Sequence, residues 1–359
     1  MTILQPTSIA ELAAAIPQRP RWSVRGGGTK PGLARAGDDH AVLDLSRLAG
    51  IVEHTPEECT FTALAGTRVV EIERALAPHG QYLPFDPPLA AAGATIGGTV
   101  AAGINGSCRY RFGGIRDFLI GVRLVDGEGR IVQSGGKVVK NAAGFLLHQA
   151  MVGSCGRLGV VGELTFKVFP APAAHATVRV DAGDLESSLS LMAAVQRERF
   201  DLEAIDLTPP GVLTLRLGGA VEALDQRVAA LKNAVGHGGQ ILVGEDEAAV
   251  WREARELSWA ARGGALVRVP LSLPQVRELD AALATDDGCV RRYAVAGNLA
   301  WVSWPAPIEG LDEILRRHGL VGQVLTGAAG AAFIGACAPN PFEQRLRSVL
   351  DPSGRLADS

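Results

Sequence analysis

The chain has 359 residues, 20% of them charged, and a formal net charge of −3, a balance with no pull toward nucleic acid or an anionic membrane surface. Its length exceeds what one small core supports, so two domains are expected. Five cysteines stand far apart with no C-x-x-C and seven histidines are scattered, which argues against an iron–sulfur cluster, a structural zinc or any resident metal.

The start, MTILQPTSIAELAAAIPQ, lacks a basic n-region and carries Glu11 in its apolar stretch, unlike a secretory signal. No apolar run reaches the roughly 18 residues of a membrane span, so a cytoplasmic protein is expected. Ser8-Ile9-Ala10-Glu11 reads as a capping box opening a short helix, with Pro17 near its end. Strands are expected at 22–25, 41–45 and 60–64, then a helix over 69–79 with Gly80 as its C-cap. After YLPFDPP comes a glycine-dense segment, 93–114. Apolar runs at 118–125 and 130–133 flank Asp126-Gly127-Glu128-Gly129, a hairpin signal, and VVGELTFKVF alternates as a half-buried strand does. Pro170-Ala171-Pro172 and the small residues after it mark a domain boundary. Beyond it, strands (177–180, 212–217, 266–269, 291–295, 299–304) mix with amphipathic helices (185–196, 220–235, 245–257), the pattern of an α+β domain with a mostly antiparallel sheet. A helix over 341–350 precedes DPSGRLADS. No internal repeat is legible.

Glycine is the compositional outlier, with 44 residues, and it clusters. RGGGTKPGL, residues 25–33, is not a Walker loop, because its lysine follows the threonine. Nor is it a dinucleotide fingerprint, since Pro31-Gly32 stops a helix from starting. What remains is a short strand, Arg25, and successive amides with no side chain in the way, a nest for an anion with the Thr29 hydroxyl at its rim. ATIGGTVAAGINGSCRYRFGG and MVGSCGRLGVVGEL continue the theme, since small residues let a large flat ligand lie against main chain.

In order and spacing these three segments resemble the PCMH-type FAD domain of the vanillyl-alcohol-oxidase family, over roughly residues 1–170. The resemblance implies a two-subdomain FAD-binding domain over 1–172, an α+β cap over 173–338, and a C-terminal helix and tail, 339–359, returning toward the FAD domain. It implies that Arg25 (through its backbone), Gly26, Gly27, Gly28 and Thr29 hold the FAD diphosphate, and that Thr95, Ile96, Gly97 and Gly98 run beneath diphosphate, ribityl chain and ring. Pro84 and Asp86 would sit near the adenine or ring edge; Gly156, Gly159, Val160 and Val161 would meet the cofactor through backbone, and Asn105 joins this set. Members that bind flavin covalently carry histidine just after the glycine loop or cysteine just before TIGG. Thr29-Lys30 and Ala92-Gly93-Ala94 stand there, so the FAD is expected to be non-covalent.

RDFLIGVRLVDGEGRIVQSGGKVVKNAAGF, continuing into MVGSCGRLGVVGELTFKVFP, is similar to the subunit-E family of bacterial glycolate oxidases. That resemblance implies an FAD-dependent oxidoreductase acting on CH–OH groups, taking part in oxidation of glycolate to glyoxylate. It implies partners, a catalytic flavoprotein subunit and an iron–sulfur subunit, and membrane contact only through them. Two other roles stay open: a stand-alone 2-hydroxy-acid or alcohol oxidoreductase, and a non-catalytic assembly subunit with a vestigial flavin site. Phe145-Leu146 replaces the family's tyrosine–aspartate after Lys140-Asn141-Ala142-Ala143-Gly144, the cap lacks a histidine pair, and the tail ends in Ala-Asp-Ser instead of Asn-Pro-Gly. No base is evident. Lys140 and Arg111 are the candidate catalytic cations, able to steady a carboxylate or reduced flavin. Arg116-Asp117 reads as a local ion pair, and Trp251, Trp259, Trp301 and Trp304 as core or interface.

Overall fold

The computed structural model describes residues 2–34, 40–136, 146–236, 238–327 and 330–356. Contacts divide the chain into two units. The first comprises Met1–Asn105, Gly114–Pro170 and Ala338–Ser359; the second, Gly106–Gly113 and Ala171–Cys337. A single boundary near residue 172 does not anticipate the excursion at 106–113, which clusters with the second unit.

The first unit holds two main sheets. In the smaller, Ile3–Leu4 and Trp22–Arg25 flank Ala41–Asp44, all parallel. In the larger, Ile51–Thr55, Thr60–Leu64, Val160–Lys167, Leu119–Val125 and Ile131–Gly135 lie antiparallel in that order. The Ile51–Thr55 edge strand escapes the sequence pattern because its first three residues are exposed, so it shows no alternation. Between the layers Phe85 lies 5.6 Å from Phe118 and 5.7 Å from Phe166, which stacks on Phe61 at 5.5 Å. These rings are fully buried and carry much of the core's apolar area. Ser8 caps the Ile9–Ala15 helix by accepting from Glu11 N, but the Glu11 carboxylate returns to Thr7 N instead of Ser8 N.

The largest departure from the sequence pattern is at 96–102. Two adjacent glycines there hid a helix, Ile96–Ala102, capped by Thr95 Oγ1 accepting from Gly98 N at 3.2 Å. Gly97 serves close approach: a Cβ on it would lie 2.6 Å from Ala65 Cβ.

The C-terminal helix Pro341–Leu350 and the tail pack within this unit. Trp22 N donates to Arg355 O at 2.7 Å, and Leu356 bridges Trp22 in parallel. Buried Asp351 accepts from Arg355 N and Leu356 N at 2.8 and 3.0 Å, while Arg355 Nη1 reaches Gly127 O and Glu128 in the hairpin turn. The tail therefore braces the strand that leads into the triple glycine.

The second unit is one nine-stranded antiparallel sheet. Its order is Gln240–Val243, Ala174–Asp181, Val212–Gly219, Ala204–Thr208, Val290–Ala294, Leu299–Trp304, Ala265–Pro270, Val321–Thr326 and Phe333–Gly335. It contains the internal repeat that the sequence hides. Ala174–Asp181, helix Leu185–Arg197, Ala204–Thr208, Val212–Gly219, helix Val221–Val235 and Gln240–Val243 form a β-α-β-β-α-β unit. Ala265–Pro270, helix Val276–Leu283, Val290–Ala294, Leu299–Trp304, helix Ile308–Arg317 and Val321–Thr326 form another, with the same internal strand order. The halves join where Leu207 pairs with Tyr293. One face of the sheet packs on the four helices; alternate residues such as Ala265, Val267 and Val269 point into that core.

Candidate functional site

The strand Trp22–Arg25 ends where the glycine loop begins. Arg25 turns its guanidinium aside, donating to Asp44 at 2.8 Å. Burial pushes the Asp44 carboxyl up, but hydrogen bonds from Arg25, Ser46 and Gln5 together outweigh it and hold it at about 2. The loop itself lies hard against the turn at 93–95. A Cβ on Gly26 would fall 2.2 Å from Thr95 Oγ1, and one on Gly27 would fall 2.0 Å from Gly93 O. Gly28, at φ 67°, has nothing near it and needs glycine for its backbone conformation.

The third glycine patch docks on the helix Ile96–Ala102: Gly153 N donates to Val100 O at 2.9 Å and Cys155 N to Ala101 O at 2.8 Å. The three segments thus enclose one cleft of about 770 Å³, its open mouth included, within the range of cofactor pockets. Of the residues expected from sequence, Arg25, Gly26, Gly27, Gly28, Thr29, Thr95, Gly97, Gly98, Gly156, Gly159, Val160 and Val161 line it.

Four do not. Ile96 is fully buried at the start of its helix. Asn105 is also buried, and its Oδ1 accepts from Ile115 N at 2.5 Å. Pro84 and Asp86 lie in a turn closed by Asp86 N donating to Leu83 O. Arg111 is held by Asp201 at 2.8 Å, both on the second unit, so the guanidinium expected to face substrate already has a counter-ion. Lys140 lies outside the described residues. The expected Arg116–Asp117 pair is replaced: Asp117 accepts from Gly114 N at 2.8 Å, capping its own short helix, and Arg116 donates to Gln149 at 3.2 Å. Cys108 is packing, buried with Ala204 and Trp251.

Sequence reasoning missed two polar groups of the cleft. Lys30 is half-buried, and its Nζ donates to Thr29 Oγ1 at 3.0 Å. It has no carboxylate partner among the described residues, and burial pushes its ammonium down to about 8. Ser154 Oγ is buried in the cleft wall without a hydrogen-bond partner among the described residues. The amides of Gly27, Gly28 and Thr29 likewise donate to no acceptor among the described residues. Val24, Leu45, Ala65 and Ala101 complete the lining with apolar surface. A lysine directly after the glycine loop was the available signal; its burial could not be read from sequence.

Among the described residues no group of three or more His, Cys, Asp or Glu is placed to hold a metal, and no helix is long and apolar enough to cross a membrane.

Residues 2–135 match the family described as FAD binding domain. The chain is 32% identical over 351 residues to glycolate oxidase subunit GlcE of Escherichia coli (strain K12), covering 96% of this chain and 94% of that one. Over shorter stretches it is 34% identical to glycolate oxidase subunit GlcD of Bacillus subtilis (strain 168), covering 38% of this chain and 29% of that protein. It is 26% identical to D-lactate dehydrogenase of Archaeoglobus fulgidus, covering 56% of this chain and 46% of that one. Among solved structures, alkyldihydroxyacetonephosphate synthase superposes with a TM-score of 0.72 at 16% identity, over 98% of this chain and 76% of that one, which speaks to fold alone. End-to-end similarity at this level, on a fold whose glycine segments converge on one cleft, means that the chain belongs to the FAD-binding family that contains glycolate oxidase subunit GlcE.

Proposed function

We propose that this chain is the FAD-binding subunit of a glycolate-oxidase-type complex and takes part in oxidising a 2-hydroxy acid to the 2-oxo acid. The observation that carries this is the convergence of three glycine-rich segments on a cleft holding an uncompensated cation, in a chain similar to GlcE over 96% of its length.

The donor set suits a dinucleotide. Three unused amides, the Thr29 hydroxyl and the Lys30 ammonium form an anion cradle of the kind a diphosphate needs. The orphaned Ser154 hydroxyl offers one further polar contact, and the apolar lining removes a flat ring from water. When bound, FAD supplies the electron acceptor for the C–H bond beside the acid's carboxylate. Lys30 brings charge without losing an ion pair, and Asp44 keeps Arg25 from competing with the amides for the loop. Attachment is non-covalent, since Thr29-Lys30 and Ala92-Gly93-Ala94 stand where covalently bound relatives carry histidine or cysteine. The relatives are named as glycolate oxidase subunits, which supports work within a multi-subunit complex; the reading assigns its other members as a catalytic flavoprotein subunit and an iron–sulfur subunit that takes electrons onward.

The test is a visible spectrum of the purified chain, alone, with glycolate, and with its partners. The expected protein is yellow, releases all colour on acid precipitation, and turns over glycolate only with partners. A chain still colourless after reconstitution with FAD overturns the cofactor assignment. Bleaching of the isolated chain by glycolate overturns the dependence on partners.

A further inference from the structure

On the sheet face of the second unit opposite its helices, Arg268 stands in register with Trp301 on one side and Gln323 on the other. Side chains alternate along a strand, so these three share a face away from the core that takes Val267 and Val269. Trp301 and Gln323 are 5% exposed. Arg268 Nη1 donates to Gln323 Oε1 at 3.3 Å, whereas its Nε is buried with no partner among the described residues. Among the described residues no carboxylate pairs with Arg268. Instead its charged neighbour is another cation: burial first, and the charge of Arg109 second, push Arg268 down to about 10. Arg109 comes from the excursion Gly106–Gly113 and also lacks an ion-pair partner among the described residues.

A half-buried guanidinium whose Nε is buried without a partner, in the field of a second guanidinium and with no carboxylate partner among the described residues, is a costly arrangement. Elsewhere in this unit Arg216 is matched by Glu247 and Arg291 by Asp280, while half-buried Arg227 is held by the carbonyls of Gly218, Phe200 and Asp201. We propose that Arg268, with Arg109 and Gln323, forms an anion site that takes the carboxylate of a small 2-hydroxy acid. A guanidinium fork matches a carboxylate's two oxygens, and the flat Trp301 neighbour suits a short acid. The choice of acid rests on the function proposed above; the anion site itself does not.

The experiment measures binding of glycolate, oxalate and inorganic phosphate to the full chain by calorimetry and by ligand-induced Tm shift, with FAD absorbance read separately. The parent chain is expected to bind glycolate and oxalate. Losing one charge-assisted contact weakens binding about ten- to hundredfold, so that loss is expected in Arg268→Met. Exposed Arg109→Gln, which carries no folding risk of note, loses several-fold. FAD content stays unchanged in both. Removing an uncompensated buried charge also raises the ligand-free Tm of Arg268→Met, the opposite of what a structural arginine would do. Equal affinity in parent and Arg268→Met, or no carboxylate binding by the parent, overturns the site. Phosphate binding without glycolate binding overturns the carboxylate assignment. A chain without FAD that still binds glycolate through Arg268 overturns the flavin function and leaves this site standing.

Discussion

If Lys30 holds the FAD diphosphate, cofactor affinity must depend on pH in a way set by the Lys30 environment. In the free chain burial holds this ammonium at about 8 instead of the ordinary 10.5. An anion within reach favours the charged form and lifts the group back toward its ordinary value. Binding above pH 8 then takes up a proton, so affinity is flat below pH 8 and falls as pH rises, by at most tenfold per unit. With free and bound values of about 8 and 10.5, Kd rises about tenfold between pH 7 and pH 9. Folding stability moves the other way. A lysine depressed in the folded state binds fewer protons there than when unfolded, so the cofactor-free chain gains stability from pH 8 upward. Fluorescence titration of the apo chain with FAD across pH 6–9 reads the first effect, and thermal melts of the apo chain read the second. Lys30→Met should weaken FAD binding at pH 7, remove the slope above pH 8 and raise the apo Tm. A parent Kd that stays constant from pH 7 to pH 9, or a Lys30→Met chain with the same slope as the parent, refutes the assignment of Lys30 to the diphosphate.

Gly27→Ala puts a Cβ 2.0 Å from Gly93 O; backbone must move, at about 1–3 kcal/mol, and FAD binding is expected to fall more than Tm does, by titration and melting on one sample. Asp44→Asn breaks the buried partner of Arg25 and should cost about 1–3 kcal/mol in denaturant melts. The Asp44 carboxyl is depressed from 3.8 to about 2, so its stabilisation is present above pH 4 and is lost as pH falls toward 2; the asparagine variant should lose that acid limb. Asp351→Ala leaves Arg355 N and Leu356 N without their acceptor. Limited proteolysis should then cut the tail first, and FAD should leave faster because the tail braces Trp22; unchanged release would show that the tail does not support the loop.

Much of the first unit was legible because its demands are steric and local. Gly26, Gly27 and Gly97 are glycine since a Cβ would strike Thr95, Gly93 or Ala65, and such a requirement leaves a run of small residues in the sequence itself. The hairpin at Asp126 was equally open, with Asp126 Oδ1 accepting from Glu128 N and Arg130 N across four residues. What misled was the same glycine signal taken too far. Ile96–Ala102 folds as a helix because Thr95 caps it and Ala65 O accepts from Gly97 N, contacts that outweigh the low helix propensity of two glycines.

The charged groups were illegible for the opposite reason. Nothing in the letters around Lys30 or Arg268 distinguishes a solvated cation from a trapped one; each becomes unusual only when distant segments close over it. Lys30 shares the lining of one cleft with residues near 95 and 154, and Arg268 meets Gln323 across a strand pair and the charge of Arg109 from an excursion more than 150 positions earlier. Glycine clusters therefore show where a ligand's backbone contacts lie, while uncompensated buried cations show where its negative charge lies. The two come together in the cleft of the first unit. They part in the second, where Arg268 sits on a sheet strand just past a register shift at Leu266/Val267 and without a glycine cluster, as expected of a site for a small acid that needs charge but no long trough. Grafting carboxylate affinity elsewhere should then require only a buried arginine without its acid, and Arg216 supplies the control. Glu247→Gln removes the carboxylate that holds Arg216 at 2.8 Å while the contacts to Cys108 and Trp251 stay, and calorimetry of this variant should then show weak glycolate binding that persists when Arg268→Met is added; no such binding refutes the rule.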